Sequence, residues 1–227
     1  MKQKGHIWIT KALNERQRAY VQNTGINLKE VPLSKIEFRP FPEDMPQADA
    51  WVFTSQNAVA KLPYTSFPGT VYASGNQTAK TLKEKGFNVK SAANETALSL
   101  AETITKDGVK SAVFFCGTIR RKELPEHLTK NNIELTEVVV YQTLLTPHSI
   151  PAQKGDALFF MSPSAVDSFA KKNNFSKELE YYSIGETTAN ALRSKGVQKI
   201  NTAAAASFEA MLENYTSENK SIWSFQN

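Results

Sequence analysis

Short apolar runs alternate along the chain with segments in which apolar residues recur at helical spacing. Seven runs have the length and β-forming composition of strands, at residues 6–10, 51–54, 71–73, 112–116, 138–144, 157–161 and 181–184. Helical periods lie between and after them, at residues 15–24, 56–61, 77–85, 97–105, 122–131, 164–172, 187–195 and 208–214. This alternation predicts an α/β fold in which helices cover both faces of parallel sheets.

The second half of the chain repeats the pattern of the first. At a shift of 107 residues, three segments of the first half match segments of the second, among them 55–59 with 162–166. At a shift of 110, the segment from Gly75 to Gly86 matches that from Gly185 to Gly196. One such match is a common strand-to-helix turn, but four in order indicate two related lobes, each flavodoxin-like or Rossmann-like.

Two proline-containing stretches separate the lobes, one from Pro32 to Pro46 and one from Thr143 to Pro151. Such stretches are typical of crossings between domains. The predicted boundaries are residues 1–32 plus 148–227 for lobe one, 40–138 for lobe two, and 33–39 and 139–147 for the crossings. Because the crossings run in opposite directions, we expect them to pair as a two-stranded antiparallel ladder that acts as a hinge.

Composition and charge exclude several classes of protein. The 227 residues are 41% hydrophobic and 22% charged, as in soluble globular proteins. The net charge of +5 is spread without a basic block, which disfavours a nucleic-acid partner. The apolar runs are too short to span a membrane, and the first residues lack a signal-peptide core. The single cysteine, Cys116, rules out an internal disulfide framework, so we expect a cytoplasmic protein.

Polar turns follow several predicted strands. In parallel α/β sheets, ligands bind beyond the carboxyl ends of the strands, against helix N-termini that favour anions. The candidate residues of these turns are Ser55, Gly75, Asn76 and Thr78 in the first half and Ser162, Ser164, Gly185, Thr187 and Thr188 in the second. Serine and threonine at such positions are commonly only helix caps. Four amide-rich turns facing a cleft would instead suit a large ligand with several carboxylates.

Other candidates lie at a first strand end, a third turn and the second crossing. Lys11 ends the first strand and is either solvated or directed at the cleft. Gly117 and Arg121 follow the strand at 112–116, where an arginine can pair with a carboxylate or remain exposed. Tyr141, in the second crossing, is either a β-forming residue or an uncharged hydrogen-bond donor. We expect Cys116 to be a small buried core residue.

Motifs for familiar cofactors and metals are absent from the sequence. It has no Gly-x-Gly-x-x-Gly, no Walker A lysine and no nucleophile elbow. Its three histidines form no His-x-x-x-His pair, and no predicted strand ends in a carboxylate cluster. We therefore expect no cofactor and no metal, which leaves a cofactor-free enzyme or a binding protein.

The order of these motifs resembles the uroporphyrinogen-III synthase family. The resemblance runs from about residue 50 to 210 and is carried by Thr54-Ser55-Gln56-Asn57, Gly75-x-x-Thr78-Ala79, Cys116-Gly117 with Arg121, Tyr141-Gln142-Thr143, Ser162-Pro163-Ser164 and Gly185-x-Thr187-Thr188-Ala189. It implies two α/β lobes joined by a two-stranded ladder. It also implies cyclisation of the linear tetrapyrrole hydroxymethylbilane to uroporphyrinogen III, with inversion of ring D, loss of water and no cofactor.

The resemblance also implies roles for individual residues. Tyr141 matches the family tyrosine that assists departure of the ring A hydroxyl. Four residues match polar groups that line the family's cleft: Thr78, Ser162, Thr187 and Thr188. Lys11 departs from the pattern, because many relatives carry arginine there. We expect a monomer that binds neither nucleic acid nor membrane. The alternative is a non-catalytic two-lobed protein that binds a small polyanion, for which Tyr141 would not be needed.

Overall fold

A computed structural model of the chain describes residues 5–92 and 96–218. The chain divides into two compact units, unit 1 comprising Met1–Lys35 with Leu144–Asn227 and unit 2 comprising Ile36–Thr143. The ends of the predicted first lobe, residues 1–4 and 219–227, lie outside the described residues.

Strands and helices alternate through the described residues. The strands are β1 (Ile7–Ile9), β2 (Leu28–Glu30), β3 (Ser34–Phe38), β4 (Ala50–Phe53), β5 (Thr70–Ala73), β6 (Val89–Ser91), β7 (Ser111–Gly117), β8 (Glu134–Leu145), β9 (Ala157–Phe160), β10 (Glu180–Ser183) and β11 (Asn201–Thr202). The helices are α1 (Glu15–Gln22), α2 (Gln56–Ala60), α3 (Asn76–Glu84), α4 (Ala97–Lys106), α5 (Glu123–Lys130), α6 (Pro163–Phe169), α7 (Glu186–Ser194) and α8 (Phe208–Glu218).

Unit 1 contains a five-stranded parallel sheet in the order β11-β10-β9-β1-β2. Taken along the chain, this is the 2-1-3-4-5 order of flavodoxin-like folds. The strand order reverses between β1 and β9, where Ile9 lies opposite Phe159. Ligands of open α/β sheets bind at such a reversal, so the ends of β1 and β9 mark the expected site of unit 1.

Unit 2 contains five parallel strands in the order β8-β7-β4-β5-β6, with β3 added at the edge beside β8. Their chain order is the 3-2-1-4-5 order of Rossmann folds. The reversal here falls between β4 and β7, where Phe53 lies opposite Phe115.

The two sheets are circular permutations of each other. If unit 1 is read from β9 through β11 and then from β1 to β2, its sheet order becomes that of β4 to β8. The strands then correspond as the sequence repeat predicts, β4 with β9 and β7 with β1. The prediction of two similar parallel α/β lobes is confirmed.

The central strands form because both of their faces are covered. All four residues of β4 are buried, with Trp51 and Phe53 in one apolar cluster and Ala50 and Val52 in another. All four residues of β9 are buried as well. Unbroken apolar runs of this length are what a sheet with helices on both sides requires.

The chain passes from unit 1 to unit 2 within β3 and returns within β8. In unit 2, Arg39 N donates to Val140 O at 2.9 Å, and in unit 1 Thr146 N donates to Leu33 O at 3.0 Å. From the first hydrogen bond to the second, the residue number falls from 39 to 33 on one side and rises from 140 to 146 on the other, as in an antiparallel pair. β3 and β8 are neighbours in the unit 2 sheet, of which β3 is the edge, and the action of the crossings as a hinge stays a prediction.

The carboxylate of Asp156 is buried at the start of β9 and organises the neighbouring strand β1. Its Oδ1 accepts from His6 N at 2.8 Å, and its Oδ2 accepts from Trp8 Nε1 at 2.9 Å and Gln153 N at 3.0 Å. Burial raises the pKa of this carboxyl, but the three hydrogen bonds outweigh burial and hold the pKa below its ordinary value of 3.8.

Asp156→Asn is expected to lower the free energy of unfolding by about 2 kcal/mol at pH 7. The asparagine side chain would place its NH₂ group, a donor, against N–H groups that are themselves donors. Urea unfolding measures this change. Since folding lowers the pKa, the ionised carboxylate stabilises the protein fully above its unfolded pKa, and this stabilisation disappears as pH falls through the folded pKa. The difference between variant and parent should therefore shrink below about pH 4. Asp167→Asn, which removes an exposed ion pair with Lys195, is the control and should cost under about 0.5 kcal/mol.

Candidate functional site

In unit 2, polar residues lie side by side at the carboxyl edge of the sheet. Phe53 of β4 is opposite Ala73 of β5, so Ser55 and Gly75, each two residues farther on, end adjacent strands. Gly117 ends β7 on the other side of β4. The structure therefore brings these predicted residues to one edge, at the strand-order reversal where ligands bind.

Tyr141 lies against Gly117 because of a β-bulge. Cys116 pairs with Val139 but Gly117 pairs with Tyr141, so Val140 is an extra residue on β8. A Cβ on Gly117 would lie 2.5 Å from Cε2 and Cζ of Tyr141 and 2.9 Å from its hydroxyl oxygen. Only glycine leaves room for the ring to cover the end of β7.

Tyr141 is 7% exposed, and its hydroxyl makes no hydrogen bond within the part of the chain that the structure describes. The residue as a whole is mostly covered, but its hydroxyl oxygen is not among the fully buried side-chain atoms that lack a partner, so it reaches solvent. The unit 2 edge thus presents a hydroxyl donor that a ligand can reach.

The helix that follows Gly75 begins without a side-chain cap. Gly75 has a φ of 83°, a left-handed conformation that favours glycine, and as the N-cap residue of α3 it has no side chain with which to cap the helix. Thr78 is 5% exposed, and its hydroxyl has no partner among the described residues. Asn76 is exposed at the helix start. Ser55, in contrast, caps α2 by accepting from Asn57 N at 3.2 Å, as the simpler interpretation of that serine predicted.

In unit 1, Thr10 joins the ends of β1 and β9 at the strand-order reversal. Its Oγ1 donates to Phe159 O at 3.0 Å and accepts from Met161 N at 3.2 Å. Thr10 is 2% exposed, so this bridge is internal. The next residue, Lys11, is exposed and forms no ion pair with any described residue. Sequence reasoning missed Thr10, although a hydroxyl that ends an apolar strand was a usable signal.

The two helix starts of unit 1 repeat those of unit 2. Ser162 caps α6 by accepting from Ala165 N at 3.2 Å, and its hydroxyl lies 2.9 Å from that of Ser164. Gly185 begins α7 without a side-chain cap. Thr188, the counterpart of Thr78, is 2% exposed, and its hydroxyl is likewise unpartnered within the described chain. Thr187 is exposed on the first turn.

The turn after β7 carries two exposed arginines, Arg120 and Arg121. Arg120 pairs with Glu137 of β8. Cys116 is 2% exposed, and burial raises the pKa of its thiol to about 11, against the opposing effect of Arg120. The thiol therefore stays protonated at neutral pH and is a core residue rather than a nucleophile.

Three further features concern a cavity of unit 1, membrane-spanning helices and metal sites. Unit 1 has a cavity of about 600 Å³ at the amino ends of β10 and β11, which contains none of the predicted site residues. No helix of residues 5–92 and 96–218 is long and apolar enough to cross a membrane. Within the same ranges, no three His, Cys, Asp or Glu residues are grouped so that they could hold a metal ion.

Comparison with known proteins gives a family and a shared fold. Residues 15–213 match the family model described as uroporphyrinogen-III synthase HemD. The structure is similar to uroporphyrinogen-III synthetase from Helicobacter pylori (24% identity, TM-score 0.68), covering 95% of this chain and 100% of that one. It is also similar to a mutant uroporphyrinogen III synthase from the extremely thermophilic bacterium Thermus thermophilus (17% identity, TM-score 0.69), covering 96% and 99%. The comparison with curated proteins gave no match. At these identities the structural matches show the fold.

Proposed function

The chain belongs to the uroporphyrinogen-III synthase family, and we propose that it holds hydroxymethylbilane against the strand-end turns of its two units while Tyr141 assists loss of the hydroxyl. The family model spans residues 15–213, most of the chain. The protein is thus a cyclising lyase of tetrapyrrole biosynthesis.

The turns bind carboxylates mainly through backbone amides. The N-cap residues of α3 and α7 are glycines, which bring the backbone close to a ligand, and the positive end of each helix dipole favours an anion there. The hydroxyls of Thr78 and Thr188 add a donor at the same place in each unit. Lys11 supplies a positive charge at the end of β1. The other residues of the two edges that we assign to substrate binding are Ser55, Gly75, Asn76, Gly117, Arg121, Ser162, Ser164, Gly185 and Thr187.

Tyr141 acts on the leaving group. Breaking the bond between the hydroxymethyl carbon and its oxygen leaves negative charge on that oxygen, and a phenol can donate a hydrogen bond or proton so that water departs. Ring D then attacks through its substituted carbon to form a spiro intermediate, which reopens and recloses with ring D inverted. The unpartnered hydroxyl of Tyr141 at the end of β7 is the observation that carries this proposal.

Orientation selects the product. Free hydroxymethylbilane closes by itself to the uninverted isomer, so the protein must hold a conformation that favours attack through the substituted carbon. We further propose that residues 33–39 and 139–147 act as a hinge between lobes of residues 1–32 plus 148–227 and 40–138. We propose a cytoplasmic monomer that uses no cofactor and binds neither nucleic acid nor membrane.

Incubation of the purified protein with fresh hydroxymethylbilane tests the function. We expect the III isomer to dominate among the products when the I and III isomers are separated after oxidation. A protein that only binds a polyanion would leave spontaneous closure to produce the I isomer. Isomer I alone, with the folded protein in excess over substrate, would overturn the proposed function.

A further inference from the structure

One face of helix α3 carries positive charge away from the turn at Gly75. Asn76, Lys80 and Lys83 stand at positions i, i+4 and i+7, so their side chains share one face of the helix. We call these three residues the α3 stripe. All three are exposed.

The α3 stripe lines an open groove of about 630 Å³ in unit 2, together with Ala79, Glu84 and Ser91. The groove is open to solvent, so a group bound there would remain partly hydrated. Asn76, at one end of the groove, belongs to the proposed substrate edge of the sheet. The groove therefore continues from that edge along the outer face of α3.

The charges in this groove are not fully neutralised by the protein. Lys80 is 3.9 Å from Glu84, and both side chains are more than 60% exposed, so this pair is weak. Lys83 has no ion pair among the described residues. Lys83 lies in the last turn of α3, where the negative end of the helix dipole favours a cation. The dipole forms no ion pair with the lysine, so the ammonium group can still bind a carboxylate.

On the matching helix of unit 1, α7, the cation at the corresponding position is paired. Glu186, Asn190 and Arg193 of α7 occupy the places of Asn76, Lys80 and Lys83. Arg193 Nη1 lies 2.5 Å from Glu186 Oε1 and 2.6 Å from Asn190 Oδ1, so its guanidinium already has two partners within α7, although this pair too is exposed to solvent. Of the two related helix faces, only that of α3 carries a cation without an ion pair among the described residues, Lys83.

We propose that the α3 stripe is a carboxylate-binding subsite for acidic side chains of the tetrapyrrole. This inference rests on the proposed function, since it takes the polycarboxylate as given. Unit 2 would bind carboxylates by amides and lysines, whereas the arginine on the corresponding face of α7 in unit 1 is already paired within its own helix.

The test compares charge-neutralising variants by their affinity for uroporphyrin III, a stable octacarboxylate. The double variant Lys80→Gln, Lys83→Gln is expected to raise Kd and KM about fivefold with kcat unchanged, since each exposed pair contributes little. Lys80→Arg with Lys83→Arg should retain the affinity. Glu186→Gln should tighten binding about twofold, because it releases Arg193. The control is Lys130→Gln, which removes an exposed charge of unit 2 outside the groove and should change neither constant.

The subsite is wrong if the double glutamine variant binds uroporphyrin III as tightly as the parent protein while circular dichroism shows both folded. In that case the parent would still form the III isomer, and the proposed function would stand. Failure of the parent protein to form the III isomer is a separate outcome, which removes the function itself.

Discussion

Tyr141→Phe is expected to slow formation of the III isomer by about 10- to 100-fold while changing substrate affinity less than about twofold. The ring that packs on Gly117 is kept, so the shape of the edge persists. The variant loses only the hydroxyl, which has no hydrogen bond in the described part of the chain, so folding should be little affected. Single-turnover kinetics with separation of the two isomers measures the chemical step, and spontaneous closure should raise the share of isomer I.

Tyr64→Phe is the matched control for this change. Tyr64 also belongs to unit 2, and its hydroxyl donates to Pro42 O at 3.3 Å, away from the strand ends. It should keep the parent rate. If Tyr141→Phe turns over as fast as Tyr64→Phe, Tyr141 has no part in the departure of the hydroxyl and the mechanism proposed above fails at that step.

Much of the fold followed from the apolar pattern because the central strands are buried on both faces. The runs at 51–54 and 157–161 became β4 and β9 with boundaries shifted by one residue. Three edge strands, β2, β6 and β11, were missed, whereas β3 lies within the predicted first crossing. Leu28–Glu30 and Asn201–Thr202 contain mostly polar residues, since an edge strand needs little apolar surface. The first part of β8 alternates exposed and half-buried residues, which a search for unbroken apolar runs overlooks.

The candidate site likewise has parts that the sequence predicted and parts that it could not predict. Turns at Gly75 and Gly185 could be found because a repeated local motif carries them. The contact between Gly117 and Tyr141 could not, since it depends on the single extra residue of a β-bulge, which leaves no mark in the pattern. The pairing of Arg120 with Glu137 joins a turn to a neighbouring strand, and only the register of β7 against β8 brings them together.

Gly117→Ala is expected to reduce kcat for the III isomer at least as much as Tyr141→Phe, by about 100-fold. The new methyl group would lie 2.5 Å from two ring carbons of Tyr141, so the ring must leave its place. Overpacking of this kind also costs about 1–3 kcal/mol of stability. Kinetics and thermal unfolding must therefore be measured together, at a temperature where the variant is fully folded.

Gly69→Ala separates displacement of the tyrosine from lost stability. A Cβ at Gly69 would lie 2.3 Å from Asp49 O and 2.6 Å from Phe67 Cε1, so unit 2 is overpacked there as well. Gly69 precedes β5 at the amino edge of the parallel sheet, whereas Tyr141 lies at the carboxyl edge. We expect Gly69→Ala to lower the melting temperature and keep kcat. If Gly117 acts through Tyr141, the double variant Gly117→Ala, Tyr141→Phe should be hardly slower than Gly117→Ala alone, because the two changes remove one interaction. If the double variant instead shows the product of the two single reductions in kcat, Gly117 and Tyr141 contribute to catalysis independently. The glycine would then not be what positions the hydroxyl.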